Sequence, residues 1–180
     1  HDIYSIEDLE GLLQRLGACN PAARLAVKIT SGNNVGTIAA GCVKAGADKV
    51  QISGGSGGTG AATQTDKYNT GLPIEFGIAE AENTLIQQGL RENVTLGADG
   101  GIRTGEDIVK LLTLGANEVS IGTLLLIAQQ KCIFCKRCAS QRCPAHITRT
   151  VSKYLGSSSD AKRFRDEYDS LTDEDHQMAR

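Results

Sequence analysis

Four of the chain's six cysteines fall within "KCIFCKRCASQRCPAHI" (131–147), spaced Cys132-x2-Cys135-x2-Cys138-x4-Cys143-Pro144. Thiolates this close in sequence can surround one metal centre with little loss of chain entropy. Bacterial ferredoxins hold iron–sulfur clusters with C-x2-C-x2-C-x3-C-P, and the present run differs by one residue in its last gap. Zinc is a second reading, because four thiolates complete a closed tetrahedral site. Disulfides are a third; they suit secreted chains, no secretory signal is visible, and so short a loop gains little from closure. Cys19 and Cys42 stand apart, and Cys42, on an apolar helical stripe, reads as a small core residue.

A second set of residues could cradle a ligand. "ISGGSGGTGAAT" (52–63), "ADGGIRTGEDI" (98–108) and "IGT" (121–123) are rich in glycine, which lets a backbone approach a ligand and lets adjacent amides form an anion-binding concavity. The run from Asp99 to Gly105 leads straight into a capped helix, so amide donors and a helix N-terminus sit together as a phosphate cradle. Lys28 lies inside the apolar run "LAVKITSG" (25–32), where a lysine is unfavourable unless it is paired or serves chemistry. It could hold a substrate carboxylate or the electron-rich edge of a flavin; the alternative is an ion-paired or snorkelling lysine.

Four short apolar runs must position these groups: 24–30, 49–53, 94–98 and 118–122. Each is continuous rather than alternating, as in strands buried on both faces of a parallel sheet. Helical patterns flank them. Ser5-Ile6-Glu7-Asp8 reads as a capping box before Leu9, Leu12, Leu13 and Leu16. Val35 to Val43 form a second stripe ended by Gly46, Ile78 to Leu90 a third, and Thr104 opens a fourth that Gly115 closes. Strand alternating with helix predicts an α/β fold with a parallel sheet. "KAGADKVQISGG" and "TLGANEVSIGTL" share one local form, a helix ending in Gly-Ala, a turn residue and a strand running into glycine, like successive units of a barrel. When ligands gather at the carboxyl ends of such strands, the three glycine stretches fall in the right places.

Composition narrows the partners. A net charge of −2 gives no electrostatic footprint for nucleic acid or an anionic membrane, and 4% aromatics with no Trp argue against a base-stacking surface. No apolar run reaches transmembrane length. These features fit a cytoplasmic protein, or one of an organelle stroma or matrix. Residues 148–180 turn Ser-rich and then densely charged, which reads as a solvated helix or tail.

Taken in order, "HDIYSIEDL", "VKITSGNNVGTIAAG", "ISGGSGGTGAA", "GLPIEFGIAEA", "GADGGIRTGEDIV" and the cysteine loop resemble the flavin-binding synthase domain of glutamate synthase. The resemblance runs collinearly from residue 1 to about 145. It implies a (β/α)8 barrel carrying FMN and a 3Fe–4S cluster. The cluster would be held by C-x5-C-x4-C, which Cys132, Cys138 and Cys143 match; Cys135 is extra and as a fourth ligand would make the cluster 4Fe–4S. It further implies that Ser53, Gly54, Gly57, Gly58, Thr59, Gly60, Asp99, Gly100, Gly101, Gly122 and Thr123 cradle FMN, and that Lys28 holds substrate or flavin.

The implied reaction joins glutamine-derived ammonia to 2-oxoglutarate and reduces the 2-iminoglutarate to L-glutamate, with electrons from ferredoxin or an NAD(P)H-oxidising subunit. On this reading residues 1–130 are the C-terminal half of the barrel, 131–147 the iron–sulfur loop and 148–180 the charged tail. Two departures stand out: Ala62-Thr63 replaces the family's Ser-Pro, and the sequence beyond Pro144 leaves the family pattern. Only four strand–helix units are visible, so the barrel would be completed by more of the same polypeptide or by another chain. An FMN barrel with another substrate, and an electron-transfer or assembly subunit without synthase activity, are the alternatives.

Overall fold

A computed structural model of the chain describes residues 3–55, 65, 69–133, 143 and 147. They fall into two units: 1–59 with 64–121, and 60–63 with 122–180.

The first unit alternates helix and strand: α1 Ile6–Cys19, β1 Ala26–Thr30, α2 Val35–Lys44, β2 Lys49–Ser53, α3 Ile74–Gln87, β3 Thr95–Asp99, α4 Gly105–Thr113 and β4 Glu118–Val119, with a 3-10 turn over Arg91–Asn93 before β3. The strands form one parallel sheet in the order β1-β2-β3-β4. Parallel neighbours joined by helical crossovers of one hand, with no reversal of order, deliver every helix to the same face of the sheet. The packing agrees: Val50, Ile52, Leu96 and Ala98 share a core with Val35, Ala39, Ile78, Ala81, Leu85 and Leu111 of the helices. The predicted α/β fold with a parallel sheet is therefore present.

Side chains alternate along a strand, and in-register neighbours share a face. The other face therefore carries Ala26, Lys28 and Thr30 of β1, Lys49, Gln51 and Ser53 of β2, and Thr95, Gly97 and Asp99 of β3. It is the polar face, and it holds the ion pair of Lys49 with Glu118.

Local signals explain the boundaries. Ser5 Oγ accepts from the Asp8 amide at 3.1 Å, while Asp8 accepts from Tyr4 rather than from Ser5, so the predicted box is half formed. At α4 the box is complete between Thr104 and Asp107. Gly46 and Gly115 follow α2 and α4 with φ of 97° and 115°, the left-handed conformation that releases a helix. Helix α3 begins at Ile74, four residues before the predicted Ile78, because Pro73 supplies the N-cap through its backbone with no side-chain capping bond. Strand β4 pairs only through Glu118 and Val119, so the predicted run to residue 122 is cut short. Strands β2 and β3 are buried as expected, but β1 alternates because it is the sheet's edge.

In the second unit the one described element is α5, Thr123–Ala128, followed by a turn. Gly122 is its N-cap, and the amides of Lys131 and Cys132 both return to the carbonyl of Leu126.

Candidate functional site

At the carboxyl end of the polar face, Lys28 Nζ reaches Asp99 Oδ2 at 2.9 Å, and the Ser53 hydroxyl donates to Asp99 Oδ1. Three strands thus converge on one carboxylate: β1 supplies the cation, β2 the hydroxyl and β3 the acceptor. Asp99 is 15% exposed and Lys28 49%. The expectation that Lys28 is buried in its strand is corrected here. Edge position leaves its side chain half in water, and a carboxylate two strands away holds its head.

Beside this cluster lies a cleft of about 350 Å³, lined by Gly54, Gly55, Gly71, Gly100, Gly101 and Arg103 among others. Its volume is at the lower end of that of small-molecule sites. Its walls depend on close backbone approach. A Cβ on Gly54 would sit 2.9 Å from the Gly100 carbonyl oxygen and 3.1 Å from Ile74 Cβ. Buried Ser31 anchors one wall: its amide donates to Ser53, its carbonyl accepts from Leu72 at 2.7 Å, and its hydroxyl donates to the Pro73 carbonyl at 3.1 Å. Gly100 and Gly101 have φ of 84° and 81°, left-handed conformations that favour glycine.

The helix N-terminus is less open than the sequence suggests. Asp107 Oδ2 accepts from the amides of both Arg103 and Thr104 at 3.0 Å. Those two amide bonds hold the Asp107 carboxyl below its usual range. The amides of Gly100 and Gly101 have no acceptor among the described residues, and both glycines line the cleft together with Arg103. Glu75 and Asp107 also line the cleft, and Lys110 lies 3.6 and 3.7 Å from them, offsetting their charge.

Of the predicted site residues, Lys28, Ser53, Gly54, Asp99, Gly100 and Gly101 come together at this end of the sheet. Gly57, Gly58, Thr59 and Gly60 lie outside the described residues. Gly122 and Thr123 open α5 in the second unit. Cys132 is half-buried and Cys143 buried, and neither is in a disulfide; Cys135 and Cys138 lie outside the described residues. Among the described residues no three His, Cys, Asp or Glu side chains group as metal ligands. Cys42 is a core residue as predicted, its thiol pushed up by burial. No helix among the described residues is long and apolar enough to cross a membrane.

The sequence reading did not single out two residues near this site. Arg103 is visible as the one cation in "DGGIRTG". Gln51, between Val50 and Ile52, carries the same signal that singled out Lys28, a polar residue in an apolar strand.

The fold and the cleft together define an α/β protein with a cleft at the carboxyl ends of its parallel strands, the place where such folds take ligands. The conserved region of glutamate synthase matches residues 1–167. The chain is 50% identical over 147 residues to the NADPH glutamate synthase large chain of Azospirillum brasilense, covering 82% of this chain and 10% of that one. The corresponding large chain of Bacillus subtilis is 47% identical and the ferredoxin-dependent glutamate synthase of an Antithamnion species 44%, each with the same coverage. This chain belongs to the glutamate synthase family. It spans about a tenth of the length of these relatives.

Proposed function

We propose that the chain is part of the flavin- and iron–sulfur-carrying synthase region of a glutamate synthase. That oxidoreductase would form L-glutamate from 2-oxoglutarate and glutamine-derived ammonia, with electrons from ferredoxin or an NAD(P)H-oxidising subunit. The observation that carries the reading is the convergence of Lys28, Ser53 and Asp99 from three adjacent strands beside a glycine-walled cleft. The four parallel units wound in one direction suit half of a (β/α)8 barrel whose inner side is the polar face. Strands β1 and β4 are the edges at which further strands would join.

The residues present fit FMN. The amides of Gly100 and Gly101 have no acceptor among the described residues, Arg103 lines the same cleft, and the absence of side chains at Gly54 and Gly55 allows close approach. Bound FMN would supply the hydride chemistry, and an iron–sulfur cluster on Cys132, Cys138 and Cys143, with Cys135 as the extra thiolate that a 4Fe–4S cluster would use, would relay electrons. The protein's own task is placement. Asp99 holds the Lys28 ammonium at the carboxyl end of the sheet, where it can pair with a substrate carboxylate or with negative charge on the ring. Ser53 fixes the Asp99 carboxylate through its hydroxyl. Residues 1–130 would then form the half barrel, 131–147 the cluster loop, and 148–180 a charged extension.

The test is an anaerobic absorption and EPR spectrum, with flavin, iron and sulfide counts, on the full-length protein that carries this chain. Flavin bands with a 3Fe or 4Fe signal are expected, and the cluster type assigns Cys135. Zinc in place of iron, or protein that takes up no flavin, would overturn the reading.

A further inference from the structure

Gln51 lies at the centre of the polar face. Only 7% of it is exposed, yet neither its amide nitrogen nor its amide oxygen has a hydrogen-bond partner among the described residues. Buried carboxamides are almost always paired, because an unmet donor or acceptor retains its full desolvation penalty. The exception therefore calls for a partner that these residues do not supply.

Two features hold the amide in reserve. Gly97 is its partner in register on β3, and a Cβ there would come within 2.9 Å of Gln51 Cδ and closer still to Oε1. The amide thus occupies space that only glycine leaves. On its other side Lys28 sits in register on β1 and reaches Asp99 on β3, so the lysine stem must cross β2, the strand that carries Gln51 and Ser53. Methylenes cannot hydrogen-bond, and a half-exposed lysine is a cover that can be drawn aside.

We propose, resting on the flavin reading above, that Gln51 is a binding residue for the imide edge of the flavin ring. Its Oε1 accepts from the ring N3–H and its Nε2 donates to a neighbouring ring carbonyl once the Lys28 stem has moved. The chemistry of the pair selects this ligand. A carboxamide offers an acceptor and a donor side by side, and an imide edge offers a donor flanked by acceptors. A phosphate or carboxylate would satisfy only the Nε2 donors and leave Oε1 unmet.

The experiment uses full-length apoprotein titrated with FMN and with N3-methyl-FMN, followed by flavin fluorescence. Wild-type protein should bind FMN at least about tenfold more tightly than the methylated ring, the size of one or two buried hydrogen bonds. Gln51→Leu should bind FMN about tenfold more weakly, lose the discrimination, and shift the flavin midpoint potential downward, because a donor to a ring carbonyl favours the reduced, electron-rich ring. Its apoprotein should melt no lower than wild type, since an unpaired buried amide has been removed. Should Gln51→Leu fail to fold, Gly97→Ala, which displaces the amide and retains Gln51, should show the same loss of discrimination. Wild-type protein that binds both flavins equally, or a Gln51→Leu protein that still discriminates, overturns the inference alone. Wild-type protein that binds neither flavin overturns both the inference and the reading beneath it.

Discussion

The two ends of the sheet use polar residues in opposite ways. At the amino end every polar side chain named here is paired within the protein. Asp48 accepts from the Leu25 amide at 2.6 Å while its own amide donates to the Leu25 carbonyl at 2.9 Å. Asn117 repeats the clasp one unit pair later, with Leu96 and 2.8 Å in both directions. Arg91 ties three segments together: it pairs with Glu82 of α3 and donates to the carbonyls of Val94 and Gly115 and to Asn117 Oδ1. At the carboxyl end Lys28 is half exposed and two glycine amides have no acceptor among the described residues; below them, at mid-sheet, the Gln51 amide has no partner among the described residues. Pairing at one end builds stability, and polar groups left available at the other are what a ligand can use, the division of labour expected of βα barrels.

Replacing Arg91 is the strongest way to test that division. Arg91→Ala leaves Glu82, 21% exposed in its side chain, without its cation and two carbonyls without donors. A loss of about 3 kcal/mol is expected in denaturant unfolding. The fraction that remains folded should bind flavin as wild type does; weakened binding at full folding would break the comparison.

Lys28→Met should do the reverse. On the proposed synthase reading, a loss of about a hundredfold in kcat/KM for 2-oxoglutarate-dependent glutamate formation by the full-length protein is expected, the scale of removing one charge that acts on a reacting group. Stability should fall by less than in Arg91→Ala, because the lysine is 49% exposed and Asp99 keeps the bond from the Ser53 hydroxyl. A large drop in melting temperature with unchanged turnover would make Lys28 structural.

Much of this contrast was legible in the sequence, but unevenly. The limits of β2, the caps at Ser5 and Thr104, and the glycines closing α2 and α4 follow from local chemistry, and the structure holds them. The start of α3 did not, since Pro73 caps through its backbone alone. The recurring Gly-Ala-Asp and Gly-Ala-Asn turns were visible as a repeat. Their role was not, because the amides they clasp lie 23 and 21 residues away. Lys28 stood out by type, while its exposure depends on β1 being an edge, a fact of topology. Gln51 carried the same local signal and becomes informative only when its neighbours across the sheet, Lys28 and Gly97, are known.

The smallest expected effect lies where the two ends meet in one residue, since Asp107 is both a structural cap and a wall of the cleft. Thr104→Ala removes one arm of the box and should destabilise by about 1 kcal/mol. Asp107→Asn removes the charge from the other arm, and pH then separates the roles. The carboxyl is held below its ordinary range in the folded protein, so the stability it adds is fully present above the unfolded pKa and is lost as pH falls through the lower folded value. Wild-type and Asp107→Asn melting temperatures should therefore differ near neutrality and converge in acid. A gap that stays constant with pH would show that the carboxylate charge does not matter to the cap. Flavin affinity adds the second half of the test. If Asp107 only caps, Asn, which can still accept from Arg103 and Thr104, should leave FMN binding within about twofold at neutral pH. Tighter binding in the variant would mean that the carboxylate repels the phosphate in wild type, and the cap would then belong to the ligand end of the molecule as well.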